Sequence, residues 1–192
     1  MVGYVINLDS RQDRLKLFRE QEFPFEVKRV SGVVASCGED GCTASHLSIL
    51  KKQTKFPFVI FEDDCKMLYP WSMVEMIMKQ LPRDWDGLWL GGNVKKKLPK
   101  YSENLYSLKN TFALHAVIYN SKVMVDYIVK KHRTIPGNNL DIFYRLNVER
   151  KYRCFITYPM IATQRSDVSD IGGNITDHEE IMLKNYIKNV HE

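Results

Sequence analysis

The chain of 192 residues carries 28 Lys and Arg against 23 Asp and Glu, a net charge of +5, with 44% hydrophobic and 27% charged residues. This is the composition of a soluble globular protein, not of a disordered or fibrous one, and the length suits a single domain, residues 1–192, able to bury a real core. The small, scattered positive charge favours an anionic ligand only weakly and does not indicate nucleic acid.

Four cysteines, Cys37, Cys42, Cys65 and Cys154, lack C-x-x-C spacing and are too few for a disulfide scaffold, which suggests reduced thiols. The N-terminus MVGYVINLDS has no signal-peptide pattern. No run approaches the ~20 apolar residues of a membrane helix, so a cytoplasmic protein without a transmembrane segment is expected.

In chain order, Gly3 to Leu8 reads as a strand, and Ser10 three residues before Asp13 predicts a capped helix with Leu15, Phe18 and Phe23 facing inward. Val27 to Val30 is a second strand. A loop from Cys37 to Gly41 then leads into a helix over ASHLSILKK. After Pro57, FVIF is a strand apolar at every position, as strands buried on both faces are. WSMVEMIMKQL predicts a helix with Met73, Ile77 and Leu81 inward, DGLWLGG a strand closed by two glycines, and Lys95 to Lys100 an exposed loop. LHAVIYN is a strand, and Ser121 caps the helix that follows it. LDIFYRLNVER is a short helix and CFITYP a last strand. QRSDVSDIGGN is a last loop, and Thr176 with Glu179 forms a capping box for a C-terminal helix. Strands alternating with helices imply an α/β fold, a mostly parallel sheet flanked by helices in Rossmann-like fashion, with ligands bound outside the carboxyl ends of the strands.

The stretch FVIFEDDC places Glu62, Asp63 and Asp64 at such an end. Side chains alternate along extended backbone, so Glu62 and Asp64 share one side and Asp63 takes the other. Two neighbouring carboxylates repel unless one is protonated or a cation lies between them, and a hard divalent ion, Mg²⁺ or Mn²⁺, commonly joins carboxylates to phosphate oxygens. An acidic turn paired with Lys66 would look the same. At other strand ends stand Asn7, Asp9, Arg11 and Arg14, the two guanidinium groups suited to gripping phosphate at a helix start, then Ser31 with Gly32, then Thr43, Ser45 and His46.

Taken in order, VINLDSRQDR, GCTASH, FVIFEDD, LWLGG, TFALHAVIYNSKVMVDYIV, NNLD and TYPMIATQRSDVSDI resemble the signatures of glycosyltransferase family 25, the lipooligosaccharide and procollagen galactosyltransferase group, over roughly residues 3–171. The resemblance implies a GT-A type fold. It also implies metal-dependent transfer of a hexose, galactose or glucose, from a UDP-sugar to a hydroxyl of a glycan or glycoprotein acceptor, with inversion. Position by position, Asn7, Leu8, Arg11 and Arg14 would lie at the nucleotide, with Ser31 and His46 lining the nucleotide-sugar site. Asp64 would be the ligand of Mn²⁺ (or Mg²⁺), with Glu62 beside it, and Asp63 or Glu62 would meet the ribose or sugar hydroxyls. His115 would line the sugar pocket and Gln164 would help hold the donor. Asp141 would be the base that deprotonates the acceptor. A further metal ligand is left open among Gln164, Asp167, Asp170 and His178. The chain departs from the family where Ser10-Arg11 replaces two adjacent basic residues. The alternative is a catalytically inactive relative that binds a nucleotide or a partner.

Overall fold

The computed structural model describes residues 1–132, 139–168 and 175–191. The chain runs β1 (Val2–Asn7), α1 (Gln12–Arg19), β2 (Val27–Ser31), α2 (Gly38–Leu50), β3 (Phe58–Glu62), β4 (Cys65–Met67), α3 (Trp71–Met78) and β5 (Gly87–Trp89). It continues through β6 (Asn93–Val94), β7 (Leu105–Ser107), β8 (Thr111–Phe112), β9 (Ala116–Tyr119), α4 (Lys122–Lys131) and α5 (Leu140–Phe143). A π-helical turn (Tyr144–Val148) and α6 (Glu149–Lys151) lead to β10 (Cys154–Thr157), β11 (Ala162–Gln164), β12 (Asp167–Val168), β13 (Ile175–Thr176) and α7 (His178–Tyr186).

Seven strands form one sheet in the order β2-β1-β3-β9-β5-β10-β7. Five of them, β2, β1, β3, β5 and β10, point the same way, while β9 and the edge strand β7 run against them. The expected α/β fold is therefore present, with one antiparallel strand, β9, at its centre.

The apolar run of β3 works as its sequence demands: Phe58, Val59, Ile60 and Phe61 are all fully buried. Phe58 and Ile60 enter the core shared with α2, α4, α5 and α7, whereas Val59 and Phe61 enter the core shared with α1 and α3. Burial of such side chains contributes about 1.5–3 kcal/mol each, so this strand anchors both layers. Its last residue leaves the sheet with its direction already determined.

Local details differ from the sequence expectations. Arg11, not Ser10, occupies the position before α1, and its side chain makes no cap hydrogen bond there. The expected loop Cys37–Gly41 is mostly the first turn of α2. The inward face of α3 is Trp71, Val74 and Ile77, with Met73 and Leu81 at its margin. Ser121 caps α4 as expected, accepting from the Met124 N–H at 3.2 Å, while Asp177 replaces Thr176 as the cap of α7. The predicted last loop begins at Gln164, the last residue of β11, which pairs antiparallel with β4, and it also holds β12, which pairs antiparallel with β13. Leu98 is buried within the otherwise exposed lysine segment, and its N–H bonds the Asn189 carbonyl. The Pro136–Asn138 part of the loop before α5, Ser169 and Asp170 lie outside the described residues. Among the described residues no helix is long and apolar enough to cross a membrane, and all four cysteines are unpaired.

Candidate active site

At the carboxyl end of β3 the alternation of the strand sends its acids to opposite layers. Asp63 turns toward α1, where Arg14 Nη1 donates to Oδ1 at 3.3 Å and Asn7 Nδ2 donates to Oδ2 at 2.8 Å. Asn7, at the end of β1, also donates to the Arg11 carbonyl at 2.8 Å and accepts from Arg29 Nε at 2.9 Å. Asn7, Arg14 and Asp63 are all buried. Burial pushes the Asp63 carboxyl up, and the bonds from Asn7 and Arg14 offset only part of that rise. The three side chains therefore tie together the ends of β1, α1 and β3.

Nearer the surface, Ser31 Oγ donates to Asp9 at 2.8 Å, and Arg29 also pairs with Asp9. Arg11 grips Asp13 through two bonds of 3.1 and 3.0 Å. Leu8 packs beneath Gly32, where an added Cβ would come within 2.9 Å of Leu8 Cδ2.

Glu62 points to the opposite layer. His46, fully buried on α2, places Nε2 3.0 Å from Glu62 Oε1, and Cys42, one helical turn earlier, places Sγ 3.6 Å from the same oxygen. Burial raises the Glu62 carboxyl, but the hydrogen bond and field of His46, joined by the field of His115 and the Cys42 bond, outweigh it, and the group sits below its ordinary value. Gln164, on β11, spans the two acids on this side: its Nε2 lies 3.4 Å from Glu62 Oε2 and 3.3 Å from Asp64 Oδ2. Asp64 Oδ1 is buried without a hydrogen-bond partner. Burial first, and the Glu62 charge second, push the Asp64 carboxyl up to about 8. A carboxyl in that condition either keeps its proton or accepts a cation. The pair Glu62 and Asp64, with one Asp64 oxygen left unpartnered, fits a hard divalent ion by the chemistry of its donors.

His115 adjoins this group in the sheet, its carbonyl accepting from the Glu62 N–H at 2.9 Å. Its ring is fully buried, with Nε2 3.1 Å from the Ala162 carbonyl, so Nε2 carries the proton, and burial lowers its basicity. Asp141 opens α5, whose cap is Asn139, and accepts the Ala113 N–H at 3.0 Å. Burial, then the Glu62 charge, raise its carboxyl to about 6. Ala113 holds a φ of 78°, and Asn110 in the same loop one of 52°. Glu149 supports this loop by accepting the Thr111 N–H at 3.2 Å.

The structure thus gathers Glu62, Asp64, Gln164 and His46 in one cluster, with His115 beside them. Glu62 acts electrostatically on Asp141 across it. Asn7, Arg14 and Asp63 form a second cluster behind it. The side chains of Asp167 and His178 lie outside the described residues. Sequence reading missed Cys42 as a member of the first cluster; its only signal was the i, i+4 spacing to His46, which sets both side chains on one face of a helix.

No family description matches the sequence of this chain, and no curated protein does. Solved structures do match. Protein A197 from STIV superposes with a TM-score of 0.51 at 9% identity, covering 88% of this chain and 86% of its own. A putative glucose-1-phosphate thymidylyltransferase from Bacillus anthracis, in complex with a sucrose, superposes with a TM-score of 0.51 at 10% identity, covering 95% of this chain and 75% of its own. The chain therefore shares its fold with these two structures.

Proposed function

We propose that this chain is a metal-dependent inverting glycosyltransferase that moves a hexose from a UDP-sugar to an acceptor hydroxyl on a glycan or glycoprotein. The observation that carries the reading is the pair Glu62 and Asp64, held by Gln164 at the end of a central strand, with Asp64 Oδ1 unpartnered. A protein described as a putative thymidylyltransferase among the structural neighbours, a sequence resemblance to family 25 and the usual position of α/β ligand sites all agree with it.

Asp64 and Glu62 would hold Mn²⁺ or Mg²⁺, which when bound supplies positive charge to the diphosphate of the donor. Gln164 orients both carboxylates. Arg11 and Leu8, at the turn between β1 and α1, and Ser31 at the end of β2 would line the nucleotide. Asn7, Arg14 and Asp63 fix that turn against β3 through the bonds described above. Asp141, whose carboxyl is raised to about 6, is ionised at neutral pH yet basic enough to take the acceptor's proton. The acceptor oxygen then forms its bond to the anomeric carbon on the face opposite UDP, and the old bond's electron pair leaves with the diphosphate.

The internal pairing of Asn7, Arg14 and Asp63 favours a second reading, a family relative that keeps the fold and binds nucleotide without turnover. Measuring UDP release from UDP-galactose and UDP-glucose with and without Mn²⁺ separates the two. The transferase reading expects release that requires both Mn²⁺ and an acceptor; nucleotide binding without release establishes the second reading; no binding of either donor rejects both.

A further inference from the structure

The inner oxygen of Glu62 faces two groups that a phosphate-bridging cation does not use. Cys42 Sγ lies 3.6 Å from Oε1 and His46 Nε2 lies 3.0 Å from it, and all three potential ligand atoms fall within 4.8 Å of one another. Cys42 and His46 stand one turn apart on α2, so one helix face presents a soft sulfur and an imidazole to a carboxylate on the neighbouring strand. We propose that Cys42, His46 and Glu62 form a binding site for a thiophilic divalent cation of the zinc class, separate from the hard-cation position at Asp64.

Two of the three ligand separations stand near those of a zinc site, and the third, sulfur to nitrogen, is within 4.8 Å. Tetrahedral zinc, bonded at about 2.3 Å to sulfur and about 2.0–2.2 Å to nitrogen or oxygen, separates its ligand atoms by roughly 3.3–3.7 Å. The sulfur to oxygen distance already lies in that range, and the nitrogen to oxygen distance must open by only a few tenths of an ångström. Charge agrees too: a dication, a thiolate and a carboxylate sum to zero, as a half-buried site requires. On binding, the Cys42 thiol loses its proton to solvent and His46 Nε2 gives up any proton it carries, so that the bound ring is neutral with its one proton on Nδ1. Three protein ligands leave a fourth position for water. Glu62 keeps Oε2 on Gln164, which also bonds Asp64, so its two oxygens serve the two positions separately.

The test uses zinc and cobalt alone, on the full chain. In Cys37→Ala protein, which removes the other thiol that is not fully buried, X-ray absorption of the zinc-loaded form should show a sulfur neighbour at about 2.3 Å. Co²⁺ should give a thiolate charge-transfer band that is present in wild-type, Cys37→Ala and Asp64→Asn protein and absent in Cys42→Ala. A zinc spectrum with only nitrogen and oxygen neighbours overturns the proposal. So does a cobalt band that survives Cys42→Ala. If Cys42→Ala does not fold, the absorption experiment on the Cys37→Ala protein decides. Binding of UDP with Mn²⁺, measured separately, tests the transferase reading, so either proposal can fail while the other stands.

Discussion

Asp64 is the residue whose environment conflicts most with its chemistry. Its carboxyl is raised to about 8 by burial and by Glu62, so the folded chain binds a proton that the unfolded chain releases near pH 4. The favourable contribution of this protonated group is full below about pH 4 and is lost as pH rises through 8. Asp64→Asn removes the titration. It should raise the metal-free melting temperature at pH 8, flatten the decline of stability between pH 4 and 8, and abolish Mn²⁺-dependent UDP binding. A variant less stable than wild-type at pH 8 would show that the carboxylate is satisfied as it stands. Asp141 meets the opposite demand, since a base must be ionised to act. With its carboxyl near 6, kcat/KM should climb through pH 6. Asp141→Asn should lower turnover by roughly 10²–10⁴ and erase that limb, with UDP affinity nearly unchanged. Intact turnover in the variant assigns the base elsewhere.

Between elements, the connection that sets the turn after β1 is the buried trio Asn7, Arg14 and Asp63. Replacing a buried ion pair by apolar groups can be neutral, but removing one partner strands the other charge, at a cost of about 3–5 kcal/mol. Asp63→Ala should therefore destabilise the chain in chemical denaturation by up to about that amount, because the buried Arg14 loses its 3.3 Å bond to Asp63 and Asn7 loses the acceptor of its 2.8 Å bond. Asn7→Ala should cost less, about 1–3 kcal/mol, since a neutral amide is lost and Arg14 still holds Asp63. If Asp63 were instead a direct ribose contact with no structural part, Asp63→Ala would weaken UDP binding while leaving the denaturation midpoint in place. The loop before β9 shows the same division of labour. Asp141 and Glu149 accept its N–H groups, holding Ala113 and Asn110 at positive φ, so a candidate catalytic acid also supports the backbone beside it.

For the whole molecule, what was legible in the sequence follows from range. The apolar run at β3, the alternation that parts Asp63 from Glu62 and Asp64, and the Ser121 cap depend on residues a few positions apart, and each reads directly. The direction of β9, the pairing of β4 with β11, and the meeting of Arg14 with Asp63 or Cys42 with Glu62 depend on partners that only the folded chain brings together, and local pattern is silent about them. Gly91 shows both sides of this. Its place after LWL reads as a strand end, yet its necessity is tertiary: a Cβ there would lie 1.8 Å from the Ala162 carbonyl oxygen. That oxygen is the partner of His115 Nε2, and Ala162 opens the strand that carries Gln164. Because the clash is with backbone, β11 itself must move away from β5. Gly91→Ala should destabilise the fold by about 3 kcal/mol, as overpacking does, lowering the melting temperature by about 6–12 °C for a chain of this size. It should also weaken Mn²⁺-dependent UDP binding under conditions where the variant is still folded, because Gln164 is drawn from Glu62 and Asp64. Gly92→Ala, whose added Cβ would meet chiefly the Thr111 methyl at 2.6 Å, should destabilise the fold while leaving UDP binding by the folded fraction near wild-type. Equal loss of binding in both variants would show that the site depends on general stability and not on the approach of β11 to β5.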